Sequence, residues 1–144
     1  MAGTSVPVSL LDVGYDMFVQ RFEHGEAAPL PSAVFHAVFG PHVDRTEPEY
    51  HLWHVHVSDD GEADLYASVT PETFGGFMIS RFSAGVVLDL LMEFARQADA
   101  VVLPPGCPAL LAAETQRRHL PEEFQHEAVI VAGSRDIEDI FRTC

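Results

Sequence analysis

The stretch "HLWHVHVSDDGEADLYASV", residues 51–69, decides the fold, because it reads as two alternating strands joined by a turn. Polar and apolar side chains alternate over about 50–58 and again over 62–69, as in strands that bury one face. Asp59, Asp60 and Gly61 lie between them, and Gly61 suits a left-handed position. The stretch therefore predicts a β-hairpin with a three-residue loop.

The register of this hairpin follows from the requirement that apolar side chains face apolar ones. A two-residue loop would set every apolar side chain against a polar one. A three-residue loop pairs apolar with apolar side chains on one face and polar with polar side chains on the other. The predicted pairs are Val57–Ala63, Val55–Leu65 and Trp53–Ala67 on the apolar face, and His56–Asp64 and His54–Tyr66 on the polar face. The polar face therefore gathers two imidazoles, a carboxylate and a phenol.

This polar face has several interpretations. His54, His56 and Asp64 could bind a divalent metal such as zinc, because two imidazoles and a carboxylate make a three-ligand site. They could also form an acid–base pair in which Asp64 orients His56. Alternatively, the face is exposed to water, as antiparallel sheets often are, or it packs against a second copy in a homodimer.

Further strands and helices flank the hairpin. Apolar runs bounded by Gly, Pro or Ser predict buried strands, and apolar stripes at helical spacing predict helices that follow a Ser cap. The predicted strands are 15–22, 75–82, 100–104 and 127–132, and the predicted helices follow Ser32, Ser83 and Ser134, with helical turns near 109–118. This order predicts a single domain over 1–144 with an α+β fold. We expect a two-layer α/β sandwich, its mixed or antiparallel sheet covered by helices on one face and ferredoxin-like in part.

Charge limits the classes of partner. The chain carries 22 Asp and Glu residues against eight Arg and no Lys, which gives a net charge of −14. This excess predicts no nucleic-acid partner and no binding to anionic membranes. An acidic surface suits a basic protein or a metal cation, although solubility alone also explains it. No apolar run is long enough to cross a bilayer, and the start lacks a signal-peptide pattern, so we expect a cytoplasmic protein.

Other residues are weaker candidates. Arg21 and Arg81 end predicted strands that lead toward helices, where they could bind an anionic group, with Tyr66 as a further ligand contact. Pairing with acidic neighbours explains the two arginines equally well. The two cysteines, Cys107 and Cys144, are expected to be reduced thiols, because nothing in their spacing predicts a disulfide framework or a zinc site.

Three segments carry a resemblance. The opening "YDMFVQRFEHGE" (15–26), the strand "GGFMISRF" (75–82) and the corner "LPPGCP" (103–108) resemble a group of small bacterial proteins with a similar opening and corner. No activity is known for that group, so the resemblance implies no catalytic residue. It implies a free-standing small protein.

Two functions follow as expectations. The favoured one is a non-catalytic protein-binding module, homodimeric, that contacts a basic protein and neutralises it as immunity-type proteins do. The alternative is a metal-dependent enzyme or small-ligand binder that uses His54, His56 and Asp64, with Arg81 for an anionic group.

Overall fold

A mainly antiparallel sheet forms the centre of the computed structural model, which describes residues 16–59 and 61–144. The strands are β1 (Met17–Glu23), β2 (Glu26–Ala28), β3 (Leu30–Pro31), β4 (Val43–Glu47), β5 (Leu52–Ser58), β6 (Gly61–Tyr66), β7 (Thr73–Phe74), β8 (Phe77–Ser80), β9 (Val101–Leu103), β10 (Leu110–Leu111) and β11 (Val129–Ile130). Within this part of the chain, nine strands form the main sheet in the order β11-β10-β9-β1-β8-β6-β5-β4, with β2 paired to β1. β10 and β11 run parallel, and β3 pairs with β7 in a separate small sheet.

The helices are α1 (Ser32–Phe39), α2 (Val86–Ala98), α3 (Glu122–Gln125) and α4 (Ser134–Phe141), with short 3₁₀ helices at Gly40–His42, Pro48–Tyr50 and Glu114–His119. Residues of α1, α2 and α4 pack on one face of the sheet. Among the described residues, no helix combines the length and apolarity needed to span a bilayer. The predicted α+β two-layer sandwich, with a mixed sheet and helices, is confirmed.

Aromatic rings fill the space between the sheet and the helices. Phe35 of α1 is almost fully buried at the centre of this layer. Its ring contacts those of Phe39, Trp53, Phe74, Phe77 and Phe94. Edge-to-face ring pairs of this kind add to the free energy gained by burying apolar area. Phe35 therefore holds α1, α2 and the hairpin together.

Among residues 16–59 and 61–144, cover over the opposite face of the sheet lies at its β9–β11 end. There the segment 109–128 returns across the strands and completes a second apolar cluster, formed by Val101, Ala109, Leu111, Leu120 and Ala128. Neighbouring residues Val101 and Val102 belong to different clusters, as expected from alternation along a strand. In the described residues, the helices packed in the main core leave the face above β5, β6 and β8 open.

The hairpin register differs from the predicted one by two residues. The observed pairs are Ser58–Gly61, His56–Glu62, Val55–Ala63, His54–Asp64, Trp53–Leu65 and Leu52–Tyr66. The register shifts between His56 and Ser58, which makes Val57 the extra residue of a bulge. Because of this bulge, a shorter connection still pairs apolar with apolar and polar with polar side chains on both faces. Gly61 matters for its size, since a Cβ there would lie 2.7 Å from Val86 Cγ2 at the start of α2.

The predicted serine caps are also displaced. Ser32 and Ser134 are the first residues of their helices, after Pro31 and Gly133. α2 begins at Val86 after Gly85, and Ser83 lies against Glu62, whose backbone N–H donates to the serine hydroxyl. Ser83 therefore connects the approach to α2 with β6.

The expectation of reduced thiols is wrong. Cys107, after β9, and Cys144 form a disulfide with their Cα atoms 5.2 Å apart, and it closes a sequence separation of 37 residues. Disulfides are uncommon in cytoplasmic proteins, so this bond does not favour the expected cytoplasmic location.

We expect Phe35→Ala to lower the free energy of unfolding by about 3–5 kcal/mol, because it empties the centre of the aromatic layer. Urea unfolding followed by Trp53 fluorescence measures this. The matched control is Phe18→Ala, since Phe18 is 50% exposed, and its loss should stay below about 1 kcal/mol. Equal losses in the two variants would contradict the central role of Phe35.

We expect removal of the disulfide, by reduction or by Cys107→Ser with Cys144→Ser, to lower the free energy of unfolding by about 2–4 kcal/mol. The bond restricts the unfolded chain over a long loop, so the loss should show as a lower urea midpoint. Thiol titration of the untreated, denatured protein is the accompanying check, and two reactive thiols there would refute the assignment.

Candidate functional site

Two rows of side chains cross the open face of the sheet. The first, the polar row, consists of Arg45, His54, Asp64 and Ser80 on four neighbouring strands. The second, the apolar row, consists of Leu52, Tyr66, Met78, Phe18 and Leu103 on five strands. The rows arise because directly paired residues project from the same face of a sheet.

His54 is held between carboxylates. Its Nδ1 lies 2.6 Å from Oδ1 of Asp44, and its Nε2 lies 3.0 Å from Oε1 of Glu62. Asp44 reaches the ring because β4 has a register shift between Val43 and Arg45, which makes Asp44 the extra residue of a bulge. Only a doubly protonated imidazolium donates to both carboxylates at once.

The charge of His54 follows from these contacts. Burial of the ring on its own would lower the pKa of His54. The hydrogen bonds to Asp44 and Glu62 act in the opposite direction and prevail, so the pKa of His54 lies above its ordinary value of 6.5. The negative charge of Asp64 contributes to this shift. In return, the hydrogen bond with His54 holds the pKa of Asp44 below its ordinary value of 3.8.

Asp64 is the most buried carboxylate of the site. Its side chain is 8% exposed, with Oδ1 at 3.9 Å from Nε2 of His54 and Oδ2 at 3.9 Å from Nε of Arg81. Both separations exceed hydrogen-bond length, and Oδ1 has no hydrogen-bond partner. Arg81 follows β8 with φ 50°, a left-handed conformation that is costly for a residue with a side chain.

A cavity of about 350 Å³ lies over the polar row, and its lining residues are Arg45, His54, Glu62, Asp64, Arg81 and Ser83. A second cavity of about 440 Å³ lies over the apolar row and includes Phe18, Tyr66 and Met78. The first volume falls at the low end of the roughly 300–1,000 Å³ typical of small-ligand pockets. The face therefore offers a polar cavity and an apolar groove side by side.

The predicted site residues are only partly brought together. His54, Asp64 and Arg81 line one cavity, whereas Tyr66 lies in the neighbouring apolar row. His56 is exposed and pairs with Glu62. Arg21 lies on β1, where it forms an ion pair with Glu23. The expected His56–Asp64 and His54–Tyr66 pairs are thus replaced by His56–Glu62 and His54–Asp64.

The metal hypothesis gains no support from this geometry. Across residues 16–59 and 61–144, no three His, Cys, Asp or Glu side chains are placed as a metal-binding group. Both ring nitrogens of His54 face carboxylates at hydrogen-bonding distance, and two arginines line the same cavity. Neither ring nitrogen of His54 is therefore available as a metal ligand.

Sequence reasoning missed Asp44, Arg45 and Glu62. Glu62 could have been found, since it lies two residues before Asp64 on an alternating strand and therefore shares its face. Arg45 lies opposite His54 through the pairing of β4 with β5, whereas Asp44 reaches the ring because of the bulge in β4, which no local pattern marks.

We expect stability to depend on pH through His54. Because its folded pKa is raised, His54 stabilises the fold fully below pH 6.5, and this contribution disappears as the pH rises through the folded pKa. His54→Gln should therefore have a lower free energy of unfolding than the parent below pH 6.5, and this gap between the two proteins should narrow as the pH rises above the folded pKa of His54. Urea unfolding at a series of pH values measures the gap. The matched control is the exposed His56→Gln, and an identical profile for both variants would exclude this role of His54.

No family model, curated protein or solved structure matches the chain.

Proposed function

We propose that this protein is a non-catalytic binding module that binds a basic protein on the open face of its sheet. The observation that carries the proposal is the middle of the apolar row, where Tyr66, Met78 and Phe18 lie on neighbouring strands and no helix of the described main core covers them. At the ends of the row, Leu52 is buried and Leu103 packs against the second apolar cluster. Phe18 in this row is 50% exposed, and Met78 and Tyr66 are partly exposed beside it. A contiguous apolar strip bordered by polar groups is typical of a protein-binding surface.

Charge favours a basic partner over a second copy of this chain. The net charge of −14 makes two copies repel each other, whereas it attracts a positively charged protein over a long range. Carboxylates also border the apolar row, since Asp44, Glu62 and Asp64 surround His54. An acidic protein that neutralises a basic enzyme, as in immunity-type pairs, fits this chemistry. The homodimer is the competing occupant of the same surface.

A small-ligand binder is the second candidate. Its support is the polar cavity, in which the buried Asp64 has a carboxylate oxygen without a hydrogen-bond donor. A ligand that donates to this oxygen would satisfy it. The two candidates predict different occupants for adjacent parts of one face.

We expect a photocrosslinking amino acid at position 18 to capture a basic protein in cells of the source organism, because Phe18 lies in the apolar row. The matched control is the same amino acid at Ile130, which is also 50% exposed but lies on the edge strand β11. A crosslink between two copies of this chain, or capture of an acidic protein, would refute the proposal. So would the lack of any crosslink from position 18.

The captured protein must then bind in purified form. Calorimetry should show that Phe18→Ser weakens binding by about tenfold or more, since truncation of a buried aromatic anchor typically costs more than 1 kcal/mol. Ile130→Ser should leave the affinity unchanged, and added salt should weaken binding to the parent protein. Equal effects of the two substitutions would contradict the use of the open face.

A further inference from the structure

One carboxylate oxygen on the open face lacks the hydrogen bond that its burial requires. The Asp64 side chain is 8% exposed, and its Oδ1 has no hydrogen-bond donor. Buried polar atoms in proteins are almost always paired, so an exception needs a physical reason. Asp64 lines the polar cavity, so a group that enters the cavity can supply the donor when a small side-chain movement uncovers this oxygen.

We infer that the polar cavity receives a guanidinium group, the end of an arginine side chain of the basic partner. This inference rests on the proposed function and names the chemical group that the open face recognises. A guanidinium presents five N–H donors in a rigid plane and contacts two carboxylates at once. Glu62 and Asp64 supply those acceptors, since their oxygens lie 3.0 Å and 3.9 Å from the same atom, Nε2 of His54.

Neither arginine that lines the cavity forms a hydrogen bond with the two acceptor carboxylates, Glu62 and Asp64. Arg45 forms an ion pair with Glu47 at 3.3 Å, so its charge is already compensated. Nε of Arg81 lies 3.9 Å from Oδ2 of Asp64, and the Arg81 side chain is 71% exposed. An exposed arginine at this distance is a weak counter-ion that an entering guanidinium displaces at little cost. The carboxylates of Glu62 and Asp64 then gain a partner with direct hydrogen bonds.

His54 competes with the entering group. Its Nε2 faces Glu62 at 3.0 Å, so a protonated ring occupies an acceptor that the guanidinium needs. The charged and titratable groups around this ring are Asp44 and Arg45 on β4, His56 on its own strand, Glu62 and Asp64 on β6, and Arg81 after β8. Binding should therefore release the His54 proton, and by reciprocity the affinity should rise as His54 loses its proton.

The test uses the whole protein and two peptides. Acetyl-Gly-Arg-Gly-amide is the probe, and the same peptide with citrulline is the control, because citrulline has the shape of arginine without its charge. We follow backbone amide and His54 ring signals by NMR at pH values below and above the His54 titration. The expected result is saturable binding of the arginine peptide alone, tighter at the higher pH. Equal binding of the citrulline peptide would overturn the inference, and so would no binding of either peptide.

Two variants locate the binding. Asp64→Asn should weaken binding of the arginine peptide by about tenfold or more, because it removes a charge-assisted acceptor. Glu62→Gln, at a side chain that is 58% exposed, should also weaken it and carries the test if Asp64→Asn does not fold. The control is Glu93→Gln on α2, on the other side of the sheet. Unchanged affinity in the site variants, or equal loss in the control, would overturn the inference.

The two proposals fail separately. If the arginine peptide binds in the cavity but position 18 captures no basic protein, the guanidinium site stands as a small-ligand site and the protein-binding proposal fails. If position 18 captures a basic protein but the arginine peptide does not bind, the basic protein binds the apolar row alone and the cavity inference fails.

Discussion

Burial of one face of the β5–β6 hairpin against the aromatic layer is the constraint on which the rest of the structure depends. Trp53 and Val55 point into the core and meet the rings around Phe35, so their strand neighbours must point the other way. His54 therefore projects from the open face, and its paired residue Asp64 projects beside it. The polar row is thus a geometric consequence of packing the aromatic layer.

The sequence predicted the faces of the hairpin correctly but its register incorrectly. Alternation separates Trp53 and Val55 from His54, and this separation survives any shift by an even number of residues. The requirement that apolar side chains meet therefore cannot distinguish the predicted register from the observed one, which is two residues away. The bulge at Val57 makes the difference, because it lets a shorter connection satisfy the same requirement.

Longer-range contacts could not be predicted from the sequence for a related reason. The helix over Val86–Ala98 was predictable from its apolar stripe, since that signal is local. The Cys107–Cys144 bond depends on the last residue returning to a corner 37 positions earlier, and no spacing rule encodes this return. Asp44 likewise contacts His54 on the neighbouring strand because it is the extra residue of the bulge in β4. Local patterns predict elements and faces, whereas the partners of a site follow from register.

The arrangement around Asp64 is better suited to binding than to stability. A buried carboxylate whose counter-ions lie beyond hydrogen-bond distance destabilises the fold relative to a paired or apolar side chain. The left-handed backbone of Arg81, next to the same cavity, adds to this cost. Nothing in the aromatic core requires a charge at this position, because Asp64 faces away from it. A donor that enters from outside recovers the lost hydrogen-bond energy in the complex, so the unsatisfied oxygen becomes a source of affinity and of selectivity for cations.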